Sequence, residues 1–321
     1  MATVCVIGSS NLDFTVSVPR LPGAGETVSG GTLVTSPGGK GANQAVAARR
    51  LGADVAFITL LGADPMGDRL AAALADAHLP AGPIGRTSEE PTGVALIAVD
   101  PEGRNQIAVA PGANHRLTAN HVRSHVDLLA GAEVVLLQLE TPIDTVRWAL
   151  AEARRRGKRT VLNPAPARVL PLPADLLRLV DYLTPNETEA GLLTEREVRS
   201  VDDAEAAGRA LVARGVSTAV VTLGAEGAIA VGATGVVRVA GFRVEAIDTV
   251  GAGDAFSGAL AASLAAGAPI EDALLVACAT GGLTCTRRGA VDAMPTREEV
   301  VALMKRNDRW PSSAWLKGWT R

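Results

Sequence analysis

The chain has 321 residues, 47% of them hydrophobic, with a formal net charge of −3. That length and apolar share allow a large buried core, and an aromatic share of only 3% means that Ala, Val and Leu must fill it. The balanced charge excludes a basic nucleic-acid footprint, three scattered cysteines (Cys5, Cys278, Cys285) exclude a disulfide framework or zinc ribbon, and no apolar run is long enough to span a bilayer.

The first residues read as a β-strand rather than a leader, so the expected setting is cytoplasmic and reducing. Short β-branched runs at 3–8, 55–60, 134–139, 160–162, 182–184 and 218–223 alternate with Ala-rich helical patterns near 40–51, 66–77, 118–130, 142–156 and 202–214. Two more helices are expected near 252–266 and 270–286. Apolar strands alternating with helices predict an α/β fold, a doubly wound and mainly parallel sheet flanked by helices.

Two segments break this rhythm. Residues 12–34 hold two strand-like runs around Pro22-Gly23, and residues 92–110 hold two more around Asp100-Pro101-Glu102-Gly103. Strands without crossover helices suggest a small separate sheet, either a lid over the core or a pair of plain hairpins. The expected organisation is a core of 1–11, 35–91 and 111–305, a lid of 12–34 and 92–110, and a tail of 306–321. The tail carries three of the four tryptophans and is expected either to wrap onto the body or to be partly disordered, with partner binding as the alternative.

Ser36-Pro37-Gly38-Gly39-Lys40-Gly41-Ala42-Asn43-Gln44 opens a helix. Its glycines let a backbone approach a ligand, with Gly39 and Asn43 on one helix face. Lys40 could meet sugar hydroxyls or a phosphate, or could simply be solvated. The spacing is not that of a Walker A loop. His121 and His125 have a metal-compatible spacing but no third ligand nearby, so a solvated helix face is expected. Glu140 follows an apolar strand, where doubly wound sheets bind ligands. Asn186 and Glu189 follow another, and either offer oxygens to Mg²⁺ through water or cap a helix. Thr222-Leu223-Gly224-Ala225-Glu226-Gly227 is a glycine turn that could pass a nucleotide, or an ordinary β-turn.

The densest segment is Asp248-Thr249-Val250-Gly251-Ala252-Gly253-Asp254, read as a strand-like stretch at 242–247 running through a glycine turn into a helix. Amides at such a helix start favour an anion. Asp254 in the first turn should be ionised at neutral pH, and would serve either as an acceptor for a hydroxyl proton or as a plain capping carboxylate. Cys278 and Cys285 read as small buried hydrophobes.

Taken together, GGKGANQAVAA (38–48), PTGVALI (91–97), LNPAPAR (162–168), TPNETEA (184–190) and DTVGAGDAFSGAL (248–260) resemble the ribokinase-like carbohydrate kinases of the phosphofructokinase-B type, from about residue 3 to residue 300. The resemblance implies ATP-dependent phosphorylation of a small sugar, with D-ribose to D-ribose 5-phosphate as the favoured reaction. Deoxyribose, fructose, a ketodeoxy acid or a nucleoside are the alternative substrates, and a non-catalytic metabolite-binding protein on the same fold, which would be expected to lack Asp254 or the anion hole, is the alternative class. Phe14 is the one aromatic in 12–34 and 92–110, which speaks against stacking a nucleobase. The resemblance further implies that Asn11, Asp13, Gly39, Lys40, Asn43 and Glu140 bind the sugar and that Asp254 is the general base. Gly251, Ala252 and Gly253 would form the anion hole. Asn186, Thr222, Leu223, Gly224, Ala225, Glu226, Gly227, Gly253 and Cys278 would bind ATP. Asn186 and Glu189 would hold water-bound Mg²⁺. A monovalent cation, K⁺, would sit at Asp248, Val250, Thr284, Arg287, Gly289 and Ala293, the last standing where the family often has Ser. The lid often forms a homodimer interface in this family.

Overall fold

A computed structural model of the chain describes residues 3–167 and 171–311. Residues 312–321 of the Trp-rich tail, and Arg168 at the end of LNPAPAR, lie outside the described residues.

In chain order the first elements are β1 (Thr3–Ile7), β2 (Asn11–Ser17), β3 (Leu33–Gly38), α1 (Lys40–Arg50), β4 (Asp54–Gly62), α2 (Pro65–Asp76), β5 (Ile84–Thr87), β6 (Gly93–Val99) and β7 (Asn105–Ala110). They are followed by α3 (Ala119–Arg123), α4 (Val126–Gly131), β8 (Val134–Leu137), α5 (Ile143–Arg155), β9 (Arg159–Leu162), α6 (Ala174–Leu177), β10 (Tyr182–Leu183) and α7 (Glu187–Thr194). The last are α8 (Val201–Ala213), β11 (Thr218–Thr222), β12 (Ala228–Gly232), β13 (Gly235–Val239), α9 (Ala252–Ala265), α10 (Ile270–Thr284) and α11 (Arg297–Arg306).

The expected doubly wound sheet is present. A nine-stranded sheet runs β13-β12-β11-β10-β9-β8-β1-β4-β5. It is parallel from β11 to β5 and ends in an antiparallel β12–β13 hairpin. Side chains alternate between its faces. Val4, Val6, Val134 and Leu136 join a core with α1, α9 and α10 on one face, and Cys5, Ile7, Val135 and Leu137 join a second core with α5 on the other. Ala, Val and Leu fill both cores, as the scarcity of aromatics requires.

The remaining four strands form a separate sheet, β3-β2-β6-β7. β2 leaves the core directly after the carboxyl end of β1, so its first residues, Asn11 to Asp13, lie where ligands bind in such sheets.

Several expectations need correcting. The stretch 242–247 is not a strand. The ladder ends with β13 at Val239, and among the described residues the backbone bonds of 242–248 run from the amides of Ile247 and Asp248 to the Cys285 carbonyl. The single helix expected at 118–130 is two, because Ser124 Oγ donates to the His121 carbonyl at 2.7 Å and competes with the helical ladder. His121 is half-buried rather than solvated, and burial, then the charge of His125, lowers its pKa. Cys285 is half-buried. β5, the β12–β13 hairpin and α11 have no counterpart among the expected elements, whereas α7 is the helix that Asn186 and Glu189 are expected to cap.

Candidate active site

Gly251 opens α9 with φ of 77°, in the left-handed region that favours glycine. The turn brings Asp254 into the first helical turn, 6% exposed. Its Oδ2 accepts the Asn43 side-chain amide at 2.8 Å, and its Oδ1 accepts that of Gln44 at 2.9 Å. Two donors from α1 thus fix the plane of the carboxylate. The first backbone amides of α9 have no helical acceptor; that of Ala252 reaches the Thr249 carbonyl at a long 3.3 Å. Gln44 also donates to Asn163 Oδ1 at 3.2 Å and accepts from Gln138 at 2.6 Å, while Asn163 donates to the Thr184 carbonyl at 2.9 Å. A row of buried amides across the carboxyl ends of β8, β9 and β10 therefore positions Asp254.

The amino end of α1 is built against the β1–β2 turn. A side chain at Gly41 would lie 2.6 Å from the Gly8 carbonyl carbon, so only glycine permits this approach. Glu140 Oε2 accepts both Ser9 Oγ at 2.5 Å and the Lys40 amide at 3.0 Å, and so caps α1. Gly39 is the residue before that first helical turn. Lys40 is half-buried. Burial disfavours its charge, yet Asp254, Glu140 and Glu189 together outweigh this and raise its pKa. Asp13, 9% exposed, is raised to about 7, by burial first and then by Glu140 and Asp254. Asp13 Oδ1 and Asn43 Oδ1 are buried without a hydrogen-bond partner among the described residues. Such atoms are costly unless a ligand satisfies them. Asn11 is held by Asn114, whose Nδ2 reaches its Oδ1 at 2.8 Å while Asn114 also bonds both backbone groups of Ser10. A cleft of about 270 Å³ runs between Asn11 and Val109 of the small sheet and Glu140 and Thr141 of the core.

On the other side of Asp254, Asn186 and Thr222 lie side by side at the ends of β10 and β11. Asn186 and Glu189 form a reciprocal capping box on α7. The Asn186 side-chain oxygen is thereby engaged, whereas Glu189 uses only Oε2. Burial, with Asp254 and Glu187 adding to it, raises the Glu189 pKa against the opposing Asn186 amide and Lys40. The turn after β11 is closed by Leu223 N–H to the Gly227 carbonyl at 2.8 Å, with Gly224, Ala225 and Glu226 in a single 3₁₀ turn. Cys278 on α10 is buried with its Sγ 4.0 Å from the Val239 carbonyl. Burial pushes its thiol up to about 12, against the charge of Arg309, so it is a wall and not a nucleophile.

A sequence model of the pfkB family of carbohydrate kinases matches residues 1–297. The chain belongs to that family. The ribokinase of Haemophilus influenzae is 40% identical over 304 residues, 94% of this chain and 98% of that protein. Among solved structures, ribokinase from Thermotoga maritima matches with a TM-score of 0.86 at 34% identity, covering 95% of this chain and 100% of that one. Arabidopsis thaliana ribokinase complexed with ribose and ATP matches with a TM-score of 0.88 at 32% identity, covering 95% and 99%. This pfkB kinase is therefore an ATP-dependent carbohydrate kinase.

Behind the amino end of α9, two loops of the pfkB kinase are joined by Asp248. Its Oδ1 accepts the Val250 amide and its Oδ2 the Gly289 amide, both at 3.0 Å. Arg287 turns outward to an ion pair with Glu299, and Thr284 Oγ1 donates to the Thr280 carbonyl at 2.9 Å. Ala293 is buried in a short turn whose next carbonyl, at Met294, accepts from Arg50. Carboxylate and carbonyl oxygens of this kind are hard donors, chemistry that suits an alkali or alkaline-earth cation and not a soft metal. Gln44, Gln138, Asn163, Asn114 and Ser9 were given no role by sequence reasoning. Gln44 lies inside GGKGANQAVAA and Asn163 inside LNPAPAR, so a signal for both is present in the sequence. Gln138 and Asn114 carry none, because a buried amide looks like any other polar residue in a sequence.

Proposed function

We propose that this kinase transfers the γ-phosphoryl group of ATP to the primary hydroxyl of D-ribose, giving D-ribose 5-phosphate and ADP. The observation that carries the reading is the Asp254 carboxylate, clamped by Asn43 and Gln44 next to the unpartnered oxygens of Asp13 and Asn43. In this proposal the sugar hydroxyls donate to Asp13 and Asn43, with Asn11, Gly39, Lys40 and Glu140 lining the same pocket. Asp254 accepts the hydroxyl proton as the sugar oxygen bonds to the γ-phosphorus. The bond from that phosphorus to the β,γ-bridging oxygen breaks, and ADP leaves. The amides of Gly251, Ala252 and Gly253 meet the charge on the transferring oxygens. Lys40, its charge favoured by three carboxylates, balances the site. The small sheet acts as a lid that excludes water.

ATP would lie along Asn186, the turn Thr222 to Gly227 and Gly253, with Cys278 beside the adenine. Magnesium, when bound with ATP, would supply charge neutralisation at the phosphates, and Glu189, with Oε1 uncommitted, would hold its water. The loops of Asp248, Val250, Thr284, Arg287, Gly289 and Ala293 would hold K⁺ through carbonyls and thereby shape the anion hole. A cytoplasmic location belongs to the same proposal, since the reaction consumes ATP. So does a homodimer, supported by the exposed apolar Leu33 and Leu96 on the small sheet.

The test is ADP release across a panel of pentoses, hexoses and nucleosides, with K⁺ or Na⁺ as the salt. Ribose should give the highest kcat/KM, with K⁺ stimulating over Na⁺. Asp254→Asn should cut kcat by more than about a hundredfold while ribose binding is kept. A better substrate than ribose would redirect the substrate assignment, and near-normal turnover in Asp254→Asn would remove the base.

A further inference from the structure

We propose that Arg309, beyond the family match, is a positioning residue for the nucleotide. It braces the backbone wall at 239–242 and so sets ATP affinity without touching sugar or base. The inference rests on the reading that Cys278 and the turn Thr222 to Gly227 face ATP.

The stretch after β13 needs a brace. It leaves the sheet at Val239, and from Phe242 to Ala246 it adopts no regular structure. Arg309 supplies what a neighbouring strand would have supplied. Its Nη1 donates to the Gly241 carbonyl at 2.9 Å and its Nη2 to the Ala240 carbonyl at 2.7 Å. Its guanidinium stacks over the Phe242 ring, 4.1 Å from the centroid. A planar fork on two successive carbonyls, with an aromatic face beneath, is a task that Arg performs and Lys does not. The Arg309 amide in turn bonds the Met304 carbonyl at 3.0 Å, which anchors the brace to α11.

What is braced lies one contact from the nucleotide turn. The Gly241 amide donates to the Glu226 carbonyl at 3.1 Å, so the gripped residue itself holds that turn. Val239, immediately before the gripped carbonyls, pairs with Ala228 at the other end of the turn and contacts the Cys278 thiol. Arg309 therefore acts on the adenine side of the cleft. Asp254, Asn43 and Asp13 are held by a different network, so sugar affinity and turnover should be spared.

The experiment uses the full chain with Arg309→Ala, Arg309→Lys and Phe242→Leu. Kinetics are measured with ATP and ribose varied separately, and ADP binding by calorimetry without sugar. Arg309→Ala should raise the KM for ATP and the Kd for ADP about tenfold, equivalent to about 1.4 kcal/mol. The kcat and the KM for ribose should change less than about twofold. Arg309→Lys should be intermediate, and Phe242→Leu should show the same split more weakly. An unchanged Kd for ADP in Arg309→Lys and Arg309→Ala overturns the inference, as does a fall in kcat or ribose affinity of equal size. Because ADP binding needs no sugar, a wild-type chain that binds ADP but leaves ribose unphosphorylated removes the ribose reading and still scores Arg309. A wild-type chain that binds no ADP overturns both.

Discussion

Asp13 shows how a single residue is tuned by its surroundings. In sequence it is one Asp among many, and its raised pKa comes from burial first and from Glu140 and Asp254 next. A folded-state pKa of about 7 against 3.8 means that the folded chain holds this proton more tightly than the unfolded chain does. Its contribution to stability is complete below about 3.8 and is lost as pH climbs through about 7. The sugar-free enzyme should therefore melt at lower temperature at pH 8 than at pH 5.5, and Asp13→Asn should flatten that slope. Sugar hydroxyls donate best to the charged carboxylate, so the KM for ribose should fall several-fold from pH 6 to pH 8. In Asp13→Asn it should be high and flat. Calorimetric melting and the pH profile of KM check both, and a wild-type pH slope in the variant would mean that another group titrates.

At the scale of elements, the decisive feature is the amino end of α1. Its Gly-rich run announces a helix start, and the helix was legible to within a residue. The partner that caps it was not, because Glu140 is a hundred residues away. Glu140→Ala should leave the Lys40 amide and the Ser9 hydroxyl without their acceptor and cost about 1–2 kcal/mol. Urea unfolding measures this, and a loss under a few tenths would show that water replaces the carboxylate. The stretch 242–247 fails for the complementary reason. Its composition suits a strand, but β propensity is realised only where a neighbour offers a ladder, and the sheet ends at β13.

For the whole molecule, the question is what the small sheet does with its two faces. Its register places Asn11, Asp13 and Ile97 on one face and Phe14, Val16, Leu33, Leu96 and Ala98 on the other. The first face meets the cleft. On the second, Leu33 is 61% and Leu96 58% exposed, an apolar patch of the kind that marks an interface. Leu96→Asp should convert a dimeric wild type into a monomer in light scattering. A wild type that is monomeric at micromolar concentration would refute the homodimer. Local periodicity and turn chemistry, which are properties of adjacent residues, determined the α/β class, the long core helices, the existence of a second sheet and the glycine turn that carries Asp254. The tertiary structure alone decided which distant groups meet: Gln44 and Asn43 at Asp254, Glu140 at α1, Asn114 at Asn11, Arg309 at Phe242. Each of those pairings joins residues far apart in the chain, and it is burial, which no local pattern encodes, that turns an ordinary amide or carboxylate into part of a site.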